Sequence, residues 1–192
     1  MTGNIVCIST FEEVMNHEFP HHTSISVPKQ GYKVDGKGIK DHCKLNKLKS
    51  VDYYHFDSKR GFFFIEFSDL LRQDIDIKTA IERITNSNLI PRDKKTLRKY
   101  YYKLMNKELV SKYNDSFIIK TMMVNYINNI PSFFEQNSSY CIVVTPIDHL
   151  ETHEQIEIAK FLTTLEAKIM NSLPTGLFTD VKVIPLNRFC KS

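Results

Sequence analysis

Between Ser50 and Arg72 the chain reads SVDYYHFDSKRGFFFIEFSDLLR, two stretches of aromatic and branched residues that each carry one carboxylate, Asp52 and Glu66. An ionised carboxylate among Tyr, Phe and Ile is costly to bury unless a cation, a metal or a hydrogen-bonding partner compensates its charge. Two such groups on neighbouring strands can converge on one side of a sheet and hold a divalent cation such as magnesium through oxygen ligands. The plainer role for Asp52 is an edge charge, a common device in strands. Glu66 is harder to place that way. It follows Phe62-Phe-Phe-Ile65, and strand alternation sets it on the face of Phe62 and Phe64.

Local patterns set out the elements that must hold this pair. Val51 to Phe56 and Phe62 to Phe67 are predicted strands, and Asp57-Ser-Lys-Arg-Gly61 supplies the turn that makes them a hairpin. Upstream, the capping-box pattern Ser9-Thr-Phe-Glu12 predicts a short helix from about Thr10 to His17. Pro20 to Lys49 reads as loop with at most one irregular strand. Downstream, Ser68 or Asp69 caps a helix from Leu70 to about Thr85, in which Ile77, Ala80, Ile81 and Ile84 keep helical spacing. A helix over roughly Lys94 to Met105 is followed by a second from about Glu108 to Asn128, whose apolar residues run nearly all round and predict burial. Ser138 to Pro146 has the composition of a central strand. Thr152-His-Glu-Gln155 caps an amphipathic helix to about Ser172, and Val181 to Pro185 is a closing strand. The predicted class is α/β, a mixed β-sheet flanked by helices, in one domain over residues 1–192.

With Asp52, Glu66 and the following helix in view, this segment resembles the PD-(D/E)XK nuclease superfamily. In that family a core helix precedes a hairpin bearing an aspartate and then a carboxylate, x, lysine triplet, and another helix and strand complete a mixed sheet. Asp52 matches the aspartate, Glu66 matches the second carboxylate, and Cys141 to Thr145 matches the next core strand in order. The resemblance implies a restriction-endonuclease-like core over about residues 50–147, with Asp52 and Glu66 as magnesium ligands. The triplet here is Glu66-Phe67-Ser68, with serine in the place of the lysine. Serine has neither positive charge nor useful basicity at neutral pH. A neighbouring element supplies the lysine in some members, and Lys112, Lys107 and Arg72 are the candidates. Lys112 is preferred, because Lys112-Tyr-Asn-Asp-Ser116 sets a cation among residues that head inward.

The charge distribution adds a second candidate surface. Arg92 to Lys112 holds eight basic residues (Arg92, Lys94, Lys95, Arg98, Lys99, Lys103, Lys107 and Lys112) against Asp93 and Glu108. Arg92, Lys94, Lys95, Arg98, Lys99 and Lys103, interleaved with Tyr100-Tyr-Tyr102, suit a nucleic-acid backbone or an acidic protein. They suit a solvated helix face equally well. His149 and His153 have a zinc-ligand spacing, but the helix cap at Thr152 separates them, and His21-His22 and His42-Cys43 read as loop residues. Gly31, Gly36 and Gly38 do not form a phosphate-loop pattern. The four cysteines, Cys7, Cys43, Cys141 and Cys190, are scattered and lack a CxxC pair, which argues against both a structural zinc cluster and a disulfide framework and fits a reducing cytoplasm. No long apolar run predicts a membrane span, and the mature chain is expected to begin near Met1.

The missing triplet lysine directs the expectation to a catalytically degenerate binding protein. Such a protein would be a nucleic-acid-binding module, or an immunity or antitoxin protein that engages a toxin in a bacterial conflict system. The alternative is a magnesium-dependent DNA endonuclease that uses Asp52, Glu66 and Lys112. A Lys or Arg nitrogen within about 4 Å of the Glu66 carboxylate is the feature that separates the two.

Overall fold

A computed structural model describes residues 5–192, with the side chains of Ile81 and Arg98 outside the description. Its centre is a six-stranded mixed sheet in the order β2-β3-β4-β5-β7-β8. The strands are Glu12–Val14 (β2), Gln30–Lys33 (β3), Tyr53–Asp57 (β4), Gly61–Phe67 (β5), Ser138–Val144 (β7) and Phe178–Pro185 (β8). β2 to β5 pair antiparallel, whereas β5, β7 and β8 are parallel. Val6–Cys7 (β1) and Ile127–Asn128 (β6) form a separate parallel pair. The parallel connections need helical crossovers. Leu70–Thr85 (α2) and Pro91–Met122 (α3) carry the chain from β5 to β7, and Thr152–Ser172 (α4) carries it from β7 to β8. Two short helices, Ile39–His42 (α1) and Leu186–Lys191 (α5), complete the fold.

The mixed α/β class and the β4–β5 hairpin agree with the sequence reading. β7 is central and buried along its whole length, as its apolar composition requires. Alternation divides the sheet into two faces. Tyr54, Phe62, Phe64, Tyr140 and Ile142 pack with Leu109 and Tyr113 of α3 and with Leu162, Leu165 and Ile169 of α4. Tyr53, Phe63, Ile65, Cys141 and Val143 pack on the other face with Met15, Phe19, Val27, Leu186 and Phe189.

Three expectations are corrected. No helix spans Thr10 to His17: Ile8–Phe11 makes a short 3₁₀ turn and Glu12–Val14 pairs with Gln30–Tyr32. The Ser9 hydroxyl donates to Cys7 Sγ instead of accepting a capping N–H, and the strand path buries Met15 in the second core. The two helices expected on either side of residue 106 are one helix, α3, because Asn106 and Lys107 are tolerated in a helix interior. Its C-terminal half is buried on one side only, with Ile118 43% and Met122 38% exposed. The cap of α4 is Glu151 with Glu154, one residue before the expected Thr152. Among the described residues no helix is long and apolar enough to cross a membrane.

Candidate functional site

The β4–β5 register pairs Tyr53 with Ile65, and one further step sets Asp52 opposite Glu66. Both therefore belong to the face that α3 covers. Phe62 and Phe64 precede Glu66 on that face, so the glutamate enters at the end of an aromatic row and is 1% exposed. β5 and β7 pair through Glu66 and Ile142, which puts the buried carboxylate beside the central strand.

α3 brings the compensating charge. Leu109, Tyr113 and Ser116 are buried at helical spacing, and each is fastened to the sheet or its approach. The Tyr140 hydroxyl donates to the Leu109 carbonyl (3.2 Å), and the Tyr113 hydroxyl donates to the Leu177 carbonyl (2.9 Å). The Val51 N–H donates to Ser116 Oγ (2.8 Å), and the Tyr54 hydroxyl donates to the Ser116 carbonyl (2.6 Å). These bonds fix the rotation of the helix, and Lys112, one turn before Ser116, projects to the carboxylates. Lys112 Nζ lies 2.6 Å from Glu66 Oε1. Glu66 Oε2 is buried and has no hydrogen-bond partner. The Phe67 N–H donates to Asp52 Oδ2 at 2.7 Å.

The electrostatics follow from this crowding. Burial pushes the Asp52 carboxyl up to about 6, against the pull of the Phe67 N–H and the Lys112 charge. Burial and the Asp52 charge raise Glu66 well above the usual range, with Lys112 opposing. Burial alone would lower the Lys112 pKa, but the Glu66 and Asp52 carboxylates outweigh it and hold the ammonium charged. Two carboxylates with raised pKa values face one cation. Such a pair has spare capacity for positive charge.

A cavity of about 170 Å³ opens beside the pair, lined by Glu66, Ser68, Asp69, Gln73, Glu108 and Lys112 among others. Gln73, Asp69 and Glu108 are additions that the sequence reading missed. Glu108 could have been found, since Met105, Glu108 and Lys112 repeat at helical spacing. Ser68 reaches the cavity because its N–H continues the ladder to the Val143 carbonyl (2.9 Å). Glu66 Oε2 is left with lone pairs free to accept, and Asp52 stands opposite Glu66 in the strand register without lining the cavity. Among the described residues no group of three or more His, Cys, Asp or Glu side chains gathers around one point. Two carboxylates suit magnesium, which keeps several of its waters, and not zinc, which wants a fuller protein shell.

The remaining candidates separate from this centre. Arg72 and Lys107 are exposed, and neither lines the Glu66 cavity. Arg92, Lys95, Lys99 and Lys103 are exposed at spacings of three and four residues along α3, so they share one face. Lys94 donates to the Thr85 carbonyl at the end of α2 (2.7 Å), and the Arg98 side chain lies outside the described residues. Lys112 follows Lys103 by nine residues, about two and a half helical turns, and so points to the opposite side of α3. The basic row thus faces away from the carboxylates. His149 lies against His22, with ring centroids 5.8 Å apart, while His153 pairs with Glu151 at 3.3 Å. The two histidines do not converge. Cys43 is buried, and burial pushes its thiol up to about 11, which makes it a poor nucleophile. Compared with protein-family models, with curated proteins and with solved structures, the chain matches none.

Proposed function

We propose that this chain is a magnesium-dependent nuclease-like enzyme that hydrolyses phosphodiester bonds in DNA, on a restriction-endonuclease-like core. The observation that carries the reading is Lys112 Nζ at 2.6 Å from Glu66 Oε1. It restores from a helix the cation that Ser68 lacks, and with Asp52 it completes the group types that the PD-(D/E)XK resemblance implies. The succession of hairpin, helices and parallel strand in β4, β5, α2, α3 and β7 supports the same reading. The region before the hairpin departs from it, since the family's core helix has no counterpart there longer than Ile39–His42 among the described residues.

Asp52 and Glu66 would hold the magnesium ion, which supplies Lewis-acid polarisation of phosphoryl oxygens. Lys112 stays protonated because the two carboxylates hold its charge. It therefore acts by stabilising negative charge that develops on the phosphoryl group and by orienting water, and not as a general base. Ser68 and Gln73 offer hydrogen bonds in the cavity. The exposed row of Arg92, Lys95, Lys99 and Lys103 would meet nucleic-acid phosphates outside the cleavage site. The four free cysteines suit work in a reducing cytoplasm.

The test is cleavage of plasmid and single-stranded DNA with magnesium or manganese. Wild type is expected to cut, Glu66→Ala to be inactive, and Lys112→Ala to lose about 100-fold or more in rate, a loss in the range for one electrostatic group. Circular dichroism checks that each variant is folded. A second reading is favoured by the 1% exposure of Glu66: the Lys112–Glu66 pair closes an inactive site, and the chain binds nucleic acid or an acidic partner such as a toxin. Absence of cutting together with no heat on magnesium titration would select this second reading.

A further inference from the structure

The face of the sheet away from α3 holds a cavity that the Asp52–Glu66–Lys112 site does not use. Strand register lays its floor. His55 is opposite Phe63, Phe63 pairs with Ser139, and Ile65, Cys141 and Lys182 make the next row. The N-terminal segment and α5 cover the neighbouring part of this face. The rows beyond them open into a cavity of about 250 Å³.

Its walls divide by chemistry. The Arg60 guanidinium sits 5.5 Å from the Phe63 ring centroid and commits Nε and one Nη to Asp57, which leaves its other donors open. Lys182 stands on the opposite wall, 3.3 Å from Asp180. Burial pushes the Cys141 thiol up to about 12 against the pull of Arg60, Lys182 and Lys29, so a neutral thiol forms part of the cavity floor. The His55 Nδ1–H donates to the Gln30 carbonyl at 2.8 Å, which leaves Nε2 as the ring's remaining polar atom. Burial lowers the pKa of this imidazole, and Nε2 is then a bare acceptor at neutral pH. Ser139 and Thr179 share a hydrogen bond at 2.7 Å beside it.

A ligand that matches these walls is flat over the apolar floor of Ile65, Cys141 and Ile184, presents an N–H to His55 and carries negative charge at Arg60 and Lys182. Ligand pockets usually measure about 300–1,000 Å³, so this smaller one takes a ring and leaves the charged group at its mouth. We propose that the cavity binds a nucleoside monophosphate, with the base on the floor of Ile65, Cys141 and Ile184 and the phosphate between Arg60 and Lys182. The site is independent of the nuclease reading, since it lies on the other face of the sheet.

Calorimetric titration of the full chain with AMP, GMP, CMP and UMP tests it, with the matching nucleosides, inorganic phosphate and 4-hydroxybenzoate as comparisons. At least one mononucleotide is expected to bind about tenfold more tightly than its nucleoside and than phosphate. Arg60→Gln and Lys182→Gln, both at exposed side chains, should each weaken it about fivefold or more, and Glu66→Ala should leave it unchanged. The proposal is overturned if no mononucleotide binds, if both substitutions are without effect, or if phosphate or 4-hydroxybenzoate binds as tightly as the best mononucleotide. Failure here leaves DNA cleavage untouched, and loss of cleavage in Glu66→Ala leaves this binding untouched.

Discussion

Asp52 and Glu66 are each less acidic than a free carboxylate because the fold takes them out of water on neighbouring strands, Glu66 fully and Asp52 in part. In the absence of a divalent cation this has a stability consequence with a definite sign. With its folded pKa at about 6 against an unfolded value of about 3.9, Asp52 keeps its proton longer in the folded chain than in the unfolded one. Stability from this group is full below pH of about 4 and is lost as pH rises through about 6. The shift amounts to about 3 kcal/mol at 1.36 kcal/mol per unit. Glu66, also raised, extends the decline to higher pH. Urea denaturation at pH 4.5 and 7.5 should show Asp52→Asn gaining on wild type by about 2 kcal/mol between the two conditions. Parallel pH dependence of the two proteins would remove the burial argument. Paired carboxylates such as Asp57, held low by the Lys59 N–H and Arg60, act in the opposite sense and cancel in the comparison.

At the scale of elements, α3 does two jobs on opposite sides. Its inner side carries Leu109, Lys112, Tyr113 and Ser116 to the sheet, and its outer side carries the exposed basic row. From Arg92 to Lys103 that row runs about 16 Å, enough to follow several phosphates along one strand. Replacing Lys99 and Lys103 with Gln should weaken duplex binding. It should also flatten the dependence of log K on log salt by about 0.9 for each phosphate that is no longer neutralised. Fluorescence anisotropy across a salt series measures both. An unchanged slope would mark the row as a solvated face that serves solubility only. The α3 segment was legible as helix from its composition. Its continuity through Asn106 was not, because asparagine is a weak helix former that favours caps and turns, yet does not break a helix.

Across the whole molecule, the candidate centre depends on how α3 is seated over the hairpin. Ser116 is the fastening: its hydroxyl accepts from the Val51 N–H, just before Asp52, and its carbonyl accepts from Tyr54, just after. Ser116→Ala leaves the Val51 N–H buried without that acceptor, an expected loss of about 1–3 kcal/mol in urea denaturation. Because the same hydrogen bond orients Lys112, the variant should also raise the magnesium concentration needed for half-maximal cleavage. A destabilised variant with unaltered magnesium dependence would show that Lys112 is oriented by other neighbours. Locally encoded features were determined by sequence alone. The hairpin came from turn residues between aromatic runs, β7 from its branched apolar stretch, and the oddity of Glu66 from its neighbours. The inward run after Lys112 favoured it over Arg72 and Lys107, but tertiary structure alone set its nitrogen against Glu66, turned the basic row away and put β2 in place of the expected N-terminal helix. It also brought His55, Phe63, Ser139 and Lys182 from four strands to one cavity. The division has a physical cause. Backbone propensity and alternation act over a few residues, whereas a charge pair between positions 66 and 112 exists only once a helix is rotated and pinned by bonds to strands distant in the chain.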